Sequence, residues 1–164
     1  MENKNSRYLF CHFVGNGENQ ERIHFAVSKD GYNFRPLNNN EPVIIQTKGK
    51  KCVRDPYILK GEDGNYYIIG TDMRCEEGWT SNHALVTWKS ADLVNWTDET
   101  IIDIRDFGGE YANTNRAWAP QAIWDKAVGK YMVYWANSVF LDNSSKLVIL
   151  FCLVAFYVKN VQAG

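Results

Sequence analysis

The stretch "SKDGYNF" at residues 28–34 returns as "SADLVNW" at residues 90–96. Ser28, Asp30, Asn33 and Phe34 find counterparts in Ser90, Asp92, Asn95 and Trp96, at an offset of 62 residues. A second set of landmarks keeps nearly the same spacing. Pro56 and Pro120 lie 64 residues apart, and Gly64-x-Tyr66 and Gly129-x-Tyr131 lie 65 apart. "YLFCHF" at 8–13 matches "YYIIGT" at 66–71 and "YMVYWA" at 131–136 as the same segment of three successive units. A fixed period of this kind constrains the fold strongly, because one unit cannot bury its apolar face alone and must stack on the next.

The order of signals inside a unit specifies four short strands. One strand follows the proline, and a Gly-bearing turn leads to a Tyr-rich second strand. A third strand ends at the Ser, and a fourth begins near the aromatic after an Asp-centred turn. "KDG" and "EDG" are good turn chemistry because Gly tolerates positive φ. No helical periodicity of useful length competes. The expected fold class is all-β, built from β-propeller blades of four antiparallel strands. In the repeated turn, Ser and Asp side chains are expected to bond backbone amides, with the ring packing between blades. That is a structural duty and no sign of chemistry.

Charge narrows the partners. Lys and Arg number 18 against 19 Asp and Glu, which leaves no electrostatic footprint for nucleic acid or an anionic membrane. Aromatics reach 14%, and exposed rings suit flat ligands such as sugars. The opening "MENKNSRYLF" lacks an apolar signal core, so a cytoplasmic protein is expected. Four cysteines without CxxC spacing read as reduced thiols, and three histidines outside any HExxH pattern give no reason to expect a metal. No cofactor motif is present either.

The inner strand of a propeller blade lines the central channel, so residues at its start can converge with those of other blades. Asp55 holds that place in the second unit, and Ala119 holds it in the third. The blade therefore does not require a carboxylate there. Arg54 beside Asp55 would favour the ionised form, which suits a general base that activates water. The competing reading is an Asp-Pro turn in which Arg54 is only a surface ion-pair partner. The residues alone leave both open.

"VRDPYI…DGNYYIIGTD", "WKSADLVNW" and "RAWAPQAIWD…GKYMVYWAN" together resemble the opening blades of glycoside hydrolase family 43, over about residues 7 to 138. The resemblance implies a partial five-bladed propeller over 1–138 and an inverting hydrolase of arabinose- or xylose-containing glycans. Its substrate would be an oligo- or polysaccharide. Asp55 matches the general base, and Trp118 falls where the family lines its sugar channel. Arg54, Asp72 and Arg116 are further candidate substrate contacts, and a fragment that bound sugar without hydrolysing it would keep Trp79, Trp88, Trp118 and Tyr66 as ring surfaces. The family also implies a pKa-tuning Asp and a general-acid Glu on later blades, and nothing after residue 138 matches them. Gln121 stands where the family usually has an acid after Trp-Ala-Pro. The alternative is a non-catalytic carbohydrate-binding or vestigial fragment. The fructan-cleaving families 32 and 68 also use Arg-Asp-Pro, but they need an Asn-Asp-Pro segment before residue 8, and none is there.

After Ser138 the pattern breaks. Leu147 to Val158 is an unbroken apolar run of 12 residues between Lys146 and Lys159, short of the roughly 20 that a bilayer-spanning helix requires. A buried strand fits its β-branched content. Residues 139–164 are accordingly expected to be an atypical apolar tail produced by a frameshift or premature truncation.

Overall fold

The computed structural model describes residues 7–17 and 19–139, and the backbone of 152–158. Three antiparallel sheets succeed one another along the chain. The first is β1 (Tyr8–His12), β2 (His24–Ser28) and β3 (Phe34–Pro36), in that order. The second is β4 (Val53–Lys60), β5 (Tyr66–Asp72), β6 (Ala84–Ser90) and β7 (Thr97–Asp103), again in sequence order. The third joins β8 (Thr114–Asp125), β9 (Lys130–Val139) and β10 (Cys152–Val158), with β9 central. Four-strand meanders of this kind are propeller blades. The second sheet is the complete unit that the repeat demands, while the first enters at the second strand of its unit.

β10 lies within the apolar run and pairs with β9 from Cys152↔Asn137 to Val158↔Tyr131. Residues 140–151 and 159–164, the remainder of the expected tail, lie outside the described residues.

Stacking of blades explains why the strands read as nearly continuous apolar text. Ile68, Val86 and Trp88 point from the second sheet into a core shared with Cys11, Ile23, Phe25, Ile44 and Val53. Their strand neighbours Ile69 and Leu85 point the other way, into a core with Ile104, Ala117 and Trp135. Successive side chains of a strand face opposite sides, so a blade packed on both faces loses the usual apolar–polar alternation. Trp88 is 3% exposed and its indole N–H donates to Glu99. It is a core ring, and its expected place on a sugar-facing surface is corrected accordingly. Burial also pushes the Cys11 thiol up to about 12.

The repeated turns are built alike. Asp30 Oδ1 accepts from the backbone N–H groups of Tyr32 and Asn33, and Asp92 Oδ1 accepts from those of Val94 and Asn95. Ser28 and Ser90 hydroxyls each accept from the amides two and three residues on. Gly31 and Leu93 both take positive φ, at 80° and 66°. Trp96 then meets Phe25 of the neighbouring sheet edge-on, with centroids 6.0 Å apart. Hence the motif is structural, as its chemistry implied.

The amide bonds hold both turn carboxylates below the ordinary aspartate range. A carboxylate depressed in the folded state stabilises the fold above its unfolded pKa, and that contribution fades as pH falls toward the folded value. Asp92→Ala is therefore expected to lower the thermal midpoint at pH 7, with the gap to the parent narrowing as pH drops below about 4. Melting curves taken down a pH series check this; a gap independent of pH would exclude the carboxylate as its cause.

Candidate active site

Proline cannot donate to a sheet ladder, so the inner strand must break register where it occurs. The break takes the same form in two blades. The β4–β5 ladder shifts between Arg54 and Tyr57, and the β8–β9 ladder shifts between Trp118 and Gln121. Asp55 and Ala119, each just before a proline, both adopt φ 47°. A non-glycine residue held in that region costs about 1–3 kcal/mol, and bulges of this kind re-aim a side chain. Because Ala119 bears the same geometry, the backbone form belongs to the blade and the Asp55 carboxylate is an addition to it.

The bulge is seated on Gly70 and Thr71 of β5. A Cβ at Gly70 would stand 2.6 Å from Val53 Cγ2 and 3.1 Å from the Arg54 carbonyl oxygen. Thr71 is fully buried and its hydroxyl accepts from the Ala119 N–H at 2.9 Å. Segments 54–56 and 118–120 thereby come to one place from strands more than sixty residues apart.

Asp55 is exposed at the bulge. Partial desolvation nevertheless raises its pKa, outweighing the opposing pulls of Arg54 and of the Thr71 hydroxyl. Arg54 favours the ionised form in direction, but burial is the larger influence. The guanidinium is committed elsewhere: it pairs with Glu21 at 3.0 Å and donates to Asn16. Glu21 is itself buried and also accepts from the Cys75 amide at 3.0 Å.

An aromatic wall continues from Arg54. Its guanidinium lies 4.6 Å from the centroid of Phe13 and 5.5 Å from that of Trp79, distances suited to cation–π attraction. Trp79 meets Trp118 edge-on at 6.1 Å, and Arg116 covers Trp118 at 4.8 Å. Arg116 Nε donates to the Trp79 carbonyl at 2.8 Å. The indole N–H of Trp118 donates to Asn82, whose carbonyl accepts from the Ala117 amide at 2.8 Å. Trp79 retains 49% exposure, so the wall offers an aromatic edge to solvent.

Two further candidates fall outside this place. Asp72 is 4% exposed, and its carboxylate accepts from Gln46 Nε2 at 2.5 Å and from the Lys50 amide at 2.8 Å. It anchors the loop before β4, which removes it from the groups open to a sugar. Tyr66 pairs with Lys60 at the far end of the β4–β5 hairpin, away from Asp55, and is not part of the wall. Conversely, Phe13, Asn16, Glu21, Thr71 and Asn82 were not singled out by the sequence. Only Thr71 carried a signal, since the repeat aligns it with Ala136.

A carboxylate at a propeller's inner strand, beside a wall of tryptophan and arginine, defines a carbohydrate-active class of site. Residues 3–149 match the family described as a probable glycosyl hydrolase domain, related to glycoside hydrolase family 43, and the chain belongs to that family. It is 30% identical over 139 residues to an α-L-arabinofuranosidase of Bifidobacterium longum, a match covering 79% of this chain and 13% of that protein. Among solved structures, a glycosyl hydrolase from Bacteroides ovatus superposes with TM-score 0.59 at 20% identity, over 90% of this chain and 49% of its own. A putative exo-β-1,3-galactanase from Bifidobacterium bifidum gives TM-score 0.55 at 10% identity, over 81% and 42%. A GH43 β-1,3-galactosidase gives 0.57 at 9% identity, over 93% and 33%. The chain thus spans less than half of each of these relatives.

The seat of the bulge predicts a sharp sensitivity at Gly70. Gly70→Ala drives a methyl into Val53 and the Arg54 carbonyl and is expected to cost about 1–3 kcal/mol, the range for overpacking a close-packed site. Urea unfolding of the two proteins measures it. Equal midpoints would show that the bulge does not press on β5.

Proposed function

We propose that this chain forms the base-bearing blades of an inverting glycoside hydrolase acting on arabinose- or xylose-containing glycans. Asp55 is the general base. The observation that carries the reading is the shared bulge: the same strained backbone holds an alanine in one blade and a carboxylate in the other. A carboxyl raised by desolvation is a better proton acceptor than an ordinary aspartate, which suits a group that takes a proton from water. Trp79 and Trp118 would take the apolar face of a sugar ring, with Arg116 near its hydroxyls. The arabinofuranosidase relative supports the pentose assignment.

Inversion also needs a general acid about 6.5–9.5 Å from the base, leaving room for the attacking water. In a five-bladed ring that acid comes from a later blade. A ring of this period takes about 300 residues, and this chain has 164. A second reading follows from what the chain does contain. Its aromatic–cation wall of Arg54, Phe13, Trp79, Trp118 and Arg116 lies within the described residues, so carbohydrate binding without turnover fits this chain taken alone.

In a complete enzyme carrying these blades, Asp55→Asn is expected to lower kcat by about 10²–10⁴-fold, the usual contribution of a positioned base. The melting temperature should be unchanged, and the acidic limb of the parent's kcat/KM profile should lie above the ordinary aspartate range. Undiminished turnover by the variant would refute the assignment. In the chain itself, Trp118→Ala should weaken arabino- or xylo-oligosaccharide binding by at least about tenfold, a typical anchor-residue loss. Calorimetric titration distinguishes the two readings: binding without hydrolysis favours the second.

A further inference from the structure

Asn16 stands in the turn between β1 and β2 and is the one asparagine of the chain that a glycine follows. Asn16 and Gly17 are both exposed. Two backbone bonds close the turn, from Val14 N–H to the Gln20 carbonyl and from Gln20 N–H to the Gly17 carbonyl, each 3.0 Å. The Asn16 side chain reaches the candidate site, because its Oδ1 accepts from Arg54 Nη1. The same guanidinium nitrogen donates to Glu21 Oε1 at 3.0 Å. Arg54 is thus held between a carboxylate on one side and a neutral amide on the other.

An asparagine side chain is open to attack by the backbone nitrogen of the next residue, and the surroundings favour that attack here. Glycine leaves its nitrogen uncovered and its backbone free to turn toward the side chain. A cation that donates to the amide oxygen draws electrons from Cγ and stabilises the oxyanion that attack creates there. Gly17 N–H meanwhile donates to Gln20 Oε1 at 3.0 Å, so the proton that must be released already faces an acceptor. A Cβ at position 17 would stand 3.0 Å from Gln20 Cδ, and a side chain there would press on that acceptor.

We propose that Asn16–Gly17 is a self-modification site whose product sets a second carboxylate on Arg54. The Gly17 nitrogen bonds to Asn16 Cγ and closes a five-membered succinimide. The Cγ–Nδ2 bond breaks, and Nδ2 leaves as ammonia with the proton given up by Gly17. Water then opens the imide to aspartate or isoaspartate. One water is consumed and one ammonia released, with no other reagent. Arg54 afterwards lies between two acids in place of one. Charge-assisted hydrogen bonds are roughly twice as strong as neutral ones. The guanidinium is therefore gripped harder where it flanks Phe13 and Trp79. The inference does not depend on Asp55 acting as a base.

The test ages the full chain in mildly alkaline buffer at body temperature and follows it by peptide mass mapping. The tryptic peptide from Tyr8 to Arg22 carries both Asn16 and Asn19, which makes Asn19 the internal control. Aspartate and isoaspartate are expected at position 16 at least about tenfold faster than at 19, given the glycine that follows Asn16 and the cation on its amide. Equal rates, or an Asn16 that outlasts Asn19, overturn the site. The consequence is read separately in Asn16→Asp, with the Arg54 side chain followed by NMR. Position 16 is exposed, so the variant is expected to fold as the parent does. Exchange of the Arg54 guanidinium protons should slow about fivefold, the step from a neutral to a charged acceptor. Unchanged exchange overturns the capture of Arg54. Neither readout involves turnover, so an active Asp55→Asn enzyme would remove the base assignment and leave this inference standing.

Discussion

Two prolines on inner strands set the geometry on which the rest depends. Pro56 and Pro120 deny the ladder a donor, and the chain answers with a bulge that puts the preceding residue at φ 47° in each case. The strain is tolerable because the surroundings over-determine it. Below Asp55 the strand is pressed so close to β5 that only a glycine fits at position 70. Beside it, the displaced Ala119 amide finds its acceptor in Thr71. Close approach and hydrogen bonding together fix two bulges against one strand, and so bring the Arg54 and Trp118 segments into one site.

Within that site, the charges are arranged so that the cation next to the acid does not neutralise it. Arg54 is held by Glu21, which also caps the Cys75 amide, and the guanidinium is flanked by the rings of Phe13 and Trp79. A buried ion pair of this sort is costly to break, because either partner left alone is an uncompensated charge. Its effect at Asp55 is a residual field weaker than the desolvation that raises the carboxyl. Had Arg54 paired directly with Asp55, the acid would have been a poorer proton acceptor. On the proposed reading of Asp55 as the base, Glu21 serves that chemistry at one remove, by occupying the neighbouring cation.

The local signals were readable and the long-range ones were not. Ser28–Asp30–Asn33 and its copy at Ser90 close their own turns within a few residues, so sequence spacing alone identified both motif and role. Strand order followed from the same repeat. The Glu21–Arg54 pair spans 33 residues and the Asn82–Trp118 bond spans 36, and neither follows a period. Trp88 and Trp118 looked alike in sequence because both stand on aromatic-rich strands. What separates them is which side of a blade meets another blade, and the second sheet is packed on both. Asp72, a candidate substrate contact at the end of β5, escaped for a related reason: the loop before β4, distant in sequence, engages its carboxylate through Gln46 and Lys50.

Repetition turns the chain into its own control. Blades two and three share proline, bulge, positive φ and ladder shift, and at the bulge blade two carries a carboxylate where blade three carries the methyl of Ala119. A feature present in both copies answers to the stacking of blades, and a feature present in one answers to something the blade does not need. By that criterion Asp30 and Asp92 belong to the scaffold, although their carboxyls are depressed well below the ordinary range. A perturbed acid alone would have pointed to the wrong aspartates. Asp55 stands apart because its environment raises it and its blade could do without it.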